Sequence, residues 1–289
     1  MSFTVFADGS ANLPASCLEG ITLLPCNYCV EGVQKEYLGD VDHFDAKSYY
    51  DALRQGSKIT TSLLNTHLFL EHFRPVLAQG QDAVYVSMSS GISGTYQAAM
   101  NAKEELAEEF PDRYVHIVDS RGCGFGSGML AMRASELSHQ GLSAKEAGVI
   151  LDEEVPHMCQ YFTVDDLNFL KRSGRVSGAT AMIGTVLNIK PILYGTADGH
   201  IVSCGKVRGR KKAIEALAEM YEKKQVDAQH RLVAISHGDC PEDAQALADM
   251  ICAVAKPKEL IIAPHEPFTG AHVGPGMLAL FFHGKKRAM

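Results

Sequence analysis

The chain reads as an α/β protein in two parts, an N-terminal three-layer α/β/α domain with a parallel sheet and a C-terminal two-layer α/β domain with a mixed sheet. Three observations predict this. Short β-rich segments alternate with helix-like segments through the first half, the pattern of a parallel sheet covered by helices. The second half has fewer helices per strand, which suits two layers. At 289 residues, with 46% hydrophobic and 21% charged content, the chain can bury a large core and exceeds the usual length of one domain.

Taken in order, Phe3 to Ala7, Ile21 to Leu24, Ala83 to Met88 and Val115 to Val118 read as strands. Between and after them, Asp45 to Gln55, Leu68 to Gln79, Tyr96 to Phe110 and Gly128 to Gln140 carry the 3.6-residue apolar spacing of helices. Ser143 to Met158 reads as one more helix, opened by Ser143 with Glu146 three residues later as a capping box. A boundary near residue 155 follows, giving expected domains 1–155 and 156–289. Beyond it, Tyr161 to Val164, Ile189 to Leu193, His200 to Lys206, Arg231 to Ser236 and Glu259 to Pro264 are candidate strands. Gly209 to Lys224 and Pro241 to Ala255 are long helices.

A formal net charge of -7 repels phosphate backbones, so nucleic acid is not an expected partner. The opening MSFTVFADGS lacks the pattern of a signal peptide, and the apolar run Met277 to Phe282 is too short to span a bilayer, so a cytoplasmic protein is expected. Eight scattered cysteines then read as reduced thiols. Cys26 and Cys29 form a C-x-x-C, but no second ligand pair follows. In the extended stretch ITLLPCNYCV, positions three apart point to opposite faces. Buried thiols are therefore expected there, not metal or redox chemistry.

Chemistry is most legible in Val84-Tyr-Val-Ser-Met-Ser-Ser-Gly-Ile-Ser-Gly-Thr-Tyr-Gln97, a strand running through a Ser/Gly turn into a helix. A helix start leaves backbone N–H groups unpaired and carries partial positive charge, so it attracts an anion. Ser90, Ser93 and Thr95 add hydroxyls, while Gly91 and Gly94 would let a ligand approach the backbone. Equally, Ser93 can serve only as an N-cap. No lysine follows Gly94, which excludes a Walker loop, and Thr95 stands where a hydrolase elbow needs glycine.

The glycine-rich Asp119-Ser-Arg-Gly-Cys-Gly-Phe-Gly-Ser-Gly128 fails the G-x-G-x-x-G register at each start, so close packing of helix on sheet is expected there instead of a dinucleotide. Thr60-Thr61-Ser62 falls in a polar break between helices, as a loop or cap. His272-Val-Gly-Pro-Gly276 reads as a turn, where a lone histidine is more often structural than catalytic. No metal-ligand cluster emerges. Two basic clusters, Lys171 to Arg175 and Lys206 to Lys212, are solvated faces or docking surfaces for an acidic or phosphorylated partner.

In sequence order, Asp8-Gly-Ser10 with Leu13-Pro14, Thr61-Ser62, Ser89-Ser-Gly-Ile-Ser-Gly-Thr-Tyr-Gln97, Val118-Asp-Ser120, Leu170-Lys-Arg-Ser-Gly-Arg-Val176, Leu187-Asn-Ile-Lys-Pro-Ile192 and His272-Val-Gly-Pro-Gly276 resemble the DegV family of fatty-acid-binding proteins. Departures are Ser173-Gly174 for paired glycines, Val273 for threonine and Gly9 for serine. The resemblance implies a long-chain fatty acid in a buried tunnel between the two domains, with no other cofactor and no enzymatic activity of its own. Ligand-binding residues would be Thr61, Ser62, Ser93, Gly94, Thr95 and His272. It also implies presentation of the carboxylate to a separate fatty-acid kinase for acyl-phosphate formation and phospholipid synthesis, with Arg172 and Arg208 facing that partner. The alternatives are a serine-dependent acyl hydrolase using Ser93 and His272, and a sugar-phosphate binder.

Overall fold

Apolar runs such as Phe3–Asp8 can be buried on both faces only at the centre of a parallel sheet with helices above and below. The computed structural model, which describes residues 1–176 and 188–287, has that arrangement. Strands β1 (Phe3–Asp8), β2 (Ile21–Leu24), β6 (Asp82–Ser87) and β7 (Val115–Asp119) form a parallel sheet in the order β2-β1-β6-β7. Val5 pairs with Ile21 on one side and Val84 on the other. The period of two sorts side chains to opposite faces. Phe3, Val5, Ala7 and Val84 pack with Phe125, Leu130 and Leu151 from α4 (Phe125–His139) and α5 (Ala144–Glu154). Phe6 and Tyr85 pack with Phe69, Phe73 and Leu106 from α2 (Thr66–Ala78) and α3 (Thr95–Glu109). The capping box of Ser143 and Glu146 opens α5, which ends at Glu154, before a 3-10 turn containing Pro156 leads into the next strand.

The second sheet has six strands in the order β10-β9-β8-β13-β11-β12. They are β8 (Met158–Thr163), β9 (Ile189–Gly195), β10 (Ile201–Arg208), β11 (Leu232–His237), β12 (Glu259–Pro264) and β13 (Leu278–His283). Only β11 and β12 pair in parallel, so the sheet is mixed. Helices α7 (Arg210–Lys224) and α8 (Pro241–Ala255) cover one face through Leu217, Tyr221 and Leu247. The other face meets α4: Leu193, Ala234, Ala279 and Phe281 join Phe125 in one core that crosses the junction of the two sheets. The Phe125 and Phe281 rings lie 6.0 Å apart.

Four features depart from the sequence reading. A third, antiparallel sheet, β4-β3-β5, is made by β3 (Cys26–Val30), β4 (Val33–Tyr37) and β5 (Ile59–Ser62), so Thr61 lies on a strand and not in a loop. Strand β4 is exposed at four of its five residues, and so shows no alternation to read. The Glu31-Gly32 turn, with φ of 50° and 83°, is the real signal, since both central residues of a tight hairpin need positive φ. The apolar run near the C-terminus is β13, an interior strand of the mixed sheet. His272 ends a short helix, α9 (Pro267–Val273), instead of lying in a turn. Finally, part of the first basic cluster is helical, in α6 (Asn168–Ser173). Of the Leu187-to-Ile192 motif, Leu187 lies outside the described residues and Ile189 opens β9.

Cys26 is buried and Cys29 only half-buried, the odd spacing having turned them to opposite sides of β3. No helix among the described residues is long and apolar enough to cross a membrane.

Candidate functional site

The Ser/Gly loop leaves the C-terminal end of β6, where parallel α/β sheets place their ligands. It is stapled from both sides. Asp119, at the end of β7, accepts hydrogen bonds from the Ser90 amide (3.1 Å) and Ser90 Oγ (2.6 Å). Ser89 Oγ donates to the Gly199 carbonyl in the β9-to-β10 turn at 2.7 Å. A methyl at Gly91 would fall 2.7 Å from the Gly199 backbone, so that glycine is required by packing of the turn and not by ligand approach. Ser93 Oγ donates to Thr95 Oγ1 (3.0 Å) and accepts from the Thr95 amide (3.2 Å). The first intrahelical bond of α3 runs from the Ala98 amide to the Gly94 carbonyl, which leaves the earlier amides outside the helix ladder.

Opposite this loop stand Thr61 and His272, joined by a hydrogen bond of 2.8 Å between Thr61 Oγ1 and His272 Nε2. Helix α9 brings His272 there. Glu266 caps it by accepting from the Thr269 amide at 2.9 Å and from Phe268. Tyr49 Oη donates to the Pro267 carbonyl (2.6 Å) and Tyr50 Oη to the His265 carbonyl (2.9 Å), fixing the entry to the helix against α1 (Ala46–Arg54). Burial, aided by the positive charge of Arg175, lowers the His272 pKa to about 4, so the ring is neutral near pH 7. It can share a hydrogen bond but contributes no charge.

These groups border a cavity of about 500 Å³ lined by Thr61, Ser93, Gly94, Thr269, Arg175 and His272 at its polar side. Ile92, Cys123, Ile201 and Val273 are shared with a narrower pocket of about 50 Å³, walled by Phe162, Met277, Ala279 and Phe281 against the mixed sheet. On the outside, Thr61, Ser173, Arg175 and His272 also border a groove of about 980 Å³ that carries Arg54, Lys58, Asp165, Asp166 and Arg172.

Of the residues singled out in the sequence, Thr61, Ser93, Gly94 and His272 therefore converge on one cavity. Ser62 is exposed and borders neither cavity. Thr95 is fully buried and acts on the cavity only through Ser93 and the Leu64 amide, which donates to it at 3.3 Å. Arg172 is exposed in the outer groove, its guanidinium 4.8 Å from the centre of the Phe169 ring. Arg208 is exposed at the end of β10 and borders neither cavity. Nearby, Arg210 is bound to Asp243 at 2.7 Å and Lys212 to Glu215 at 2.7 Å, so these two members of the cluster are already paired.

The hydrolase geometry is not formed: Ser93 Oγ is bonded to Thr95, His272 Nε2 to Thr61, and the charged neighbour acting on His272 is a cation. Among the described residues no group of three metal-ligating side chains occurs. Sequence reasoning missed Thr269, Glu266 and His265. His265 Nδ1 shares a 3.0 Å bond with Ser236 Oγ, and His265 Nε2 a 2.7 Å bond with Thr269 Oγ1, which in turn donates to Glu266. Glu266-Pro267 was the available signal, an acidic cap followed by proline at the first helical position.

The model of the family described as "Uncharacterised protein, DegV family" matches residues 2–285. A DegV domain-containing protein of Clostridium perfringens is 36% identical over 283 residues, covering 98% of this chain and 97% of the relative. Among solved structures, a fatty-acid-binding DegV family protein from Thermus thermophilus superposes with a TM-score of 0.86 at 26% identity, over 98% of this chain and 100% of that one. DegV from Bacillus subtilis, described as a fatty acid binding protein, gives a TM-score of 0.82 at 28% identity, over 99% and 100%.

Proposed function

The chain belongs to the DegV family, and from that premise we propose that it holds one long-chain fatty acid, with the carboxylate between Thr61 and the Ser93 loop and the tail in a tunnel between the two halves. The observation that carries this reading is adjacency. A polar chamber lined by Thr61, Ser93 and His272 shares Ile92, Cys123, Ile201 and Val273 with an apolar pocket, which supports adjoining places for a head group and a tail. Residues 1–155 supply the loops for the carboxylate, and residues 156–289 close the tunnel, with α9 adding His272 to the head-group side. The fatty-acid binding of the Thermus thermophilus and Bacillus subtilis proteins supports the same ligand class.

Magnitudes divide the labour. Burying about 14 methylenes at about 0.8 kcal/mol each gives on the order of 11 kcal/mol of gross attraction. Association costs about 4 to 15 kcal/mol. A helix terminus adds only about 0.3 to 2 kcal/mol for an anion. The tail thus sets affinity, while Thr61, Ser93 and the Gly94 amide set orientation. The neutral His272 orients Thr61 without placing a second charge beside the carboxylate.

The outer side of Thr61, Ser173, Arg175 and His272, which border both the chamber and the groove, supports a second step, in which the protein works without chemistry of its own and presents the carboxylate to a fatty-acid kinase. Arg172 in the outer groove, and Arg208 farther along the surface, supply charge for an acidic partner surface or a nascent acyl phosphate. Mass spectrometry of an organic extract of the purified protein tests the ligand. About one fatty acid per chain is expected, and preparations that repeatedly carry none, and bind none when offered it, would end the reading.

A further inference from the structure

The glycine-rich stretch after β7 surrounds a single side chain. Gln160, on β8, lays its amide against Gly122 and Gly126, where an added methyl would fall 2.0 Å from Gln160 Nε2 and 2.5 Å from its Cδ. Those glycines make room for this amide. Its orientation is set by the Cys123 amide, which donates to Gln160 Oε1 at 3.2 Å and so turns Nε2 to the other end. Gln160 is only 7% exposed, and Nε2 has no hydrogen-bond partner among the described residues. The side chain lines the narrow apolar pocket with Phe162, Ala279 and Phe281. The two ionisable nitrogen-bearing side chains in that wall, Arg121 and His265, are engaged. Arg121 donates to the Ala197 carbonyl, and both ring nitrogens of His265 are bonded to Ser236 and Thr269.

A buried donor left without an acceptor is costly, and a methylene chain offers none. We propose that Gln160 determines specificity by donating from Nε2 to an oxygen carried along the acyl chain, so that the preferred ligand is a hydroxy or oxo long-chain fatty acid and not a plain saturated one. This deepens, and rests on, the fatty-acid reading above. Cys123, shared by the polar chamber and the apolar pocket, carries the amide that aligns Gln160, which puts the donor on the path of the tail beyond the carboxylate site.

The test is competition binding on the delipidated full-length protein with stearic, oleic, 10-hydroxystearic, 12-hydroxystearic and 10-oxostearic acids. At least one oxygenated acid is expected to bind about tenfold or more tighter than stearic acid, as one buried hydrogen bond gives. Gln160→Met removes the donor. Gln160→Leu removes it with a different apolar shape, and thermal melts of both variants guard against a loss of fold. In both, the ratio of oxygenated to saturated affinity should fall toward one. Equal affinities in the wild type, a preference for oleic acid over all oxygenated acids, or a ratio that survives both substitutions would each overturn the role of Gln160 alone. If the wild type binds none of the five acids, the fatty-acid reading falls and takes this inference with it.

Discussion

The two cavities that meet at Thr61, Ser173, Arg175 and His272 are made of opposite materials. The inner one has a few hydroxyls and amides at one side and shares Ile92 and Val273 with the neighbouring apolar pocket that Phe281 lines. The outer one carries Arg54, Lys58 and Arg172, with Asp165 and Asp166 among them, and much of that charge is open to water. Apolar burial yields about 25 cal/mol per Å² removed from water, whereas exposed charges contribute little net energy and act through steering. On the proposed reading one region holds the ligand and the other meets a partner, with Thr61 and His272 bordering both.

Substitutions that separate the regions test this contrast, beginning with the tail. Ile92→Trp fills the passage from the polar chamber to the apolar pocket and denies the tail about five methylenes at about 0.8 kcal/mol each. Fatty-acid affinity in a titration should drop by at least about a hundredfold, and retention of bound lipid at wild-type stoichiometry would move the tail out of this passage. Next come the head-group hydroxyls. Thr61→Ala and Ser93→Ala should each cost about 1 to 3 kcal/mol of binding, since each removes a partner from a buried charged group. Unchanged dissociation constants in both would relocate the carboxylate.

Arg172→Ala sharpens the comparison from the outer side. Its guanidinium lies over Phe169 in the groove, so fatty-acid affinity should stay within about twofold while acyl-phosphate formation with a matching kinase slows. Equal loss of both would put Arg172 in the inner site, and loss of neither would leave it an ordinary solvated side chain.

The smallest effect expected is in the pH profile of stability without ligand. The folded pKa values of His272, about 4, and His265, about 3, are depressed below 6.5 by burial. The unfolded chain therefore binds more protons, and stability falls as pH drops from about 6.5 toward these values. Glu266 has the opposite sign. Burial raises its folded pKa from 4.5 to about 7, so its contribution is present below 4.5 and lost as pH rises through 7. Tm should accordingly peak near pH 6.5. In Glu266→Gln the decline between pH 6.5 and 8 should flatten whatever the absolute Tm, and an unaltered slope there would assign it to another group.

Much of this was legible in the sequence because it is local. The apolar runs at Phe3 to Ala7 and Ala83 to Met88, the 3.6-residue spacing of the helices and the Ser143 capping box depend on neighbours within a few residues, and each element formed. The Ser/Gly turn before α3 was likewise legible as a helix start, while an anion site and a plain N-cap stayed equal readings of it. The β3-β4 hairpin was lost because β4 is polar on an exposed edge, and α9 because seven residues are too few for a periodicity to show. What only the tertiary structure decided is which side chains meet. Sequence could not pair Thr61 with a histidine 211 residues away, or show that Gly91 answers to Gly199 and Gly122 to Gln160. Nor could it divide the basic clusters into arginines spent on aspartates and arginines left facing a groove. Backbone preference acts over one or two turns, whereas these contacts are fixed by the packing of two sheets on α4, and that packing is a property of the whole chain.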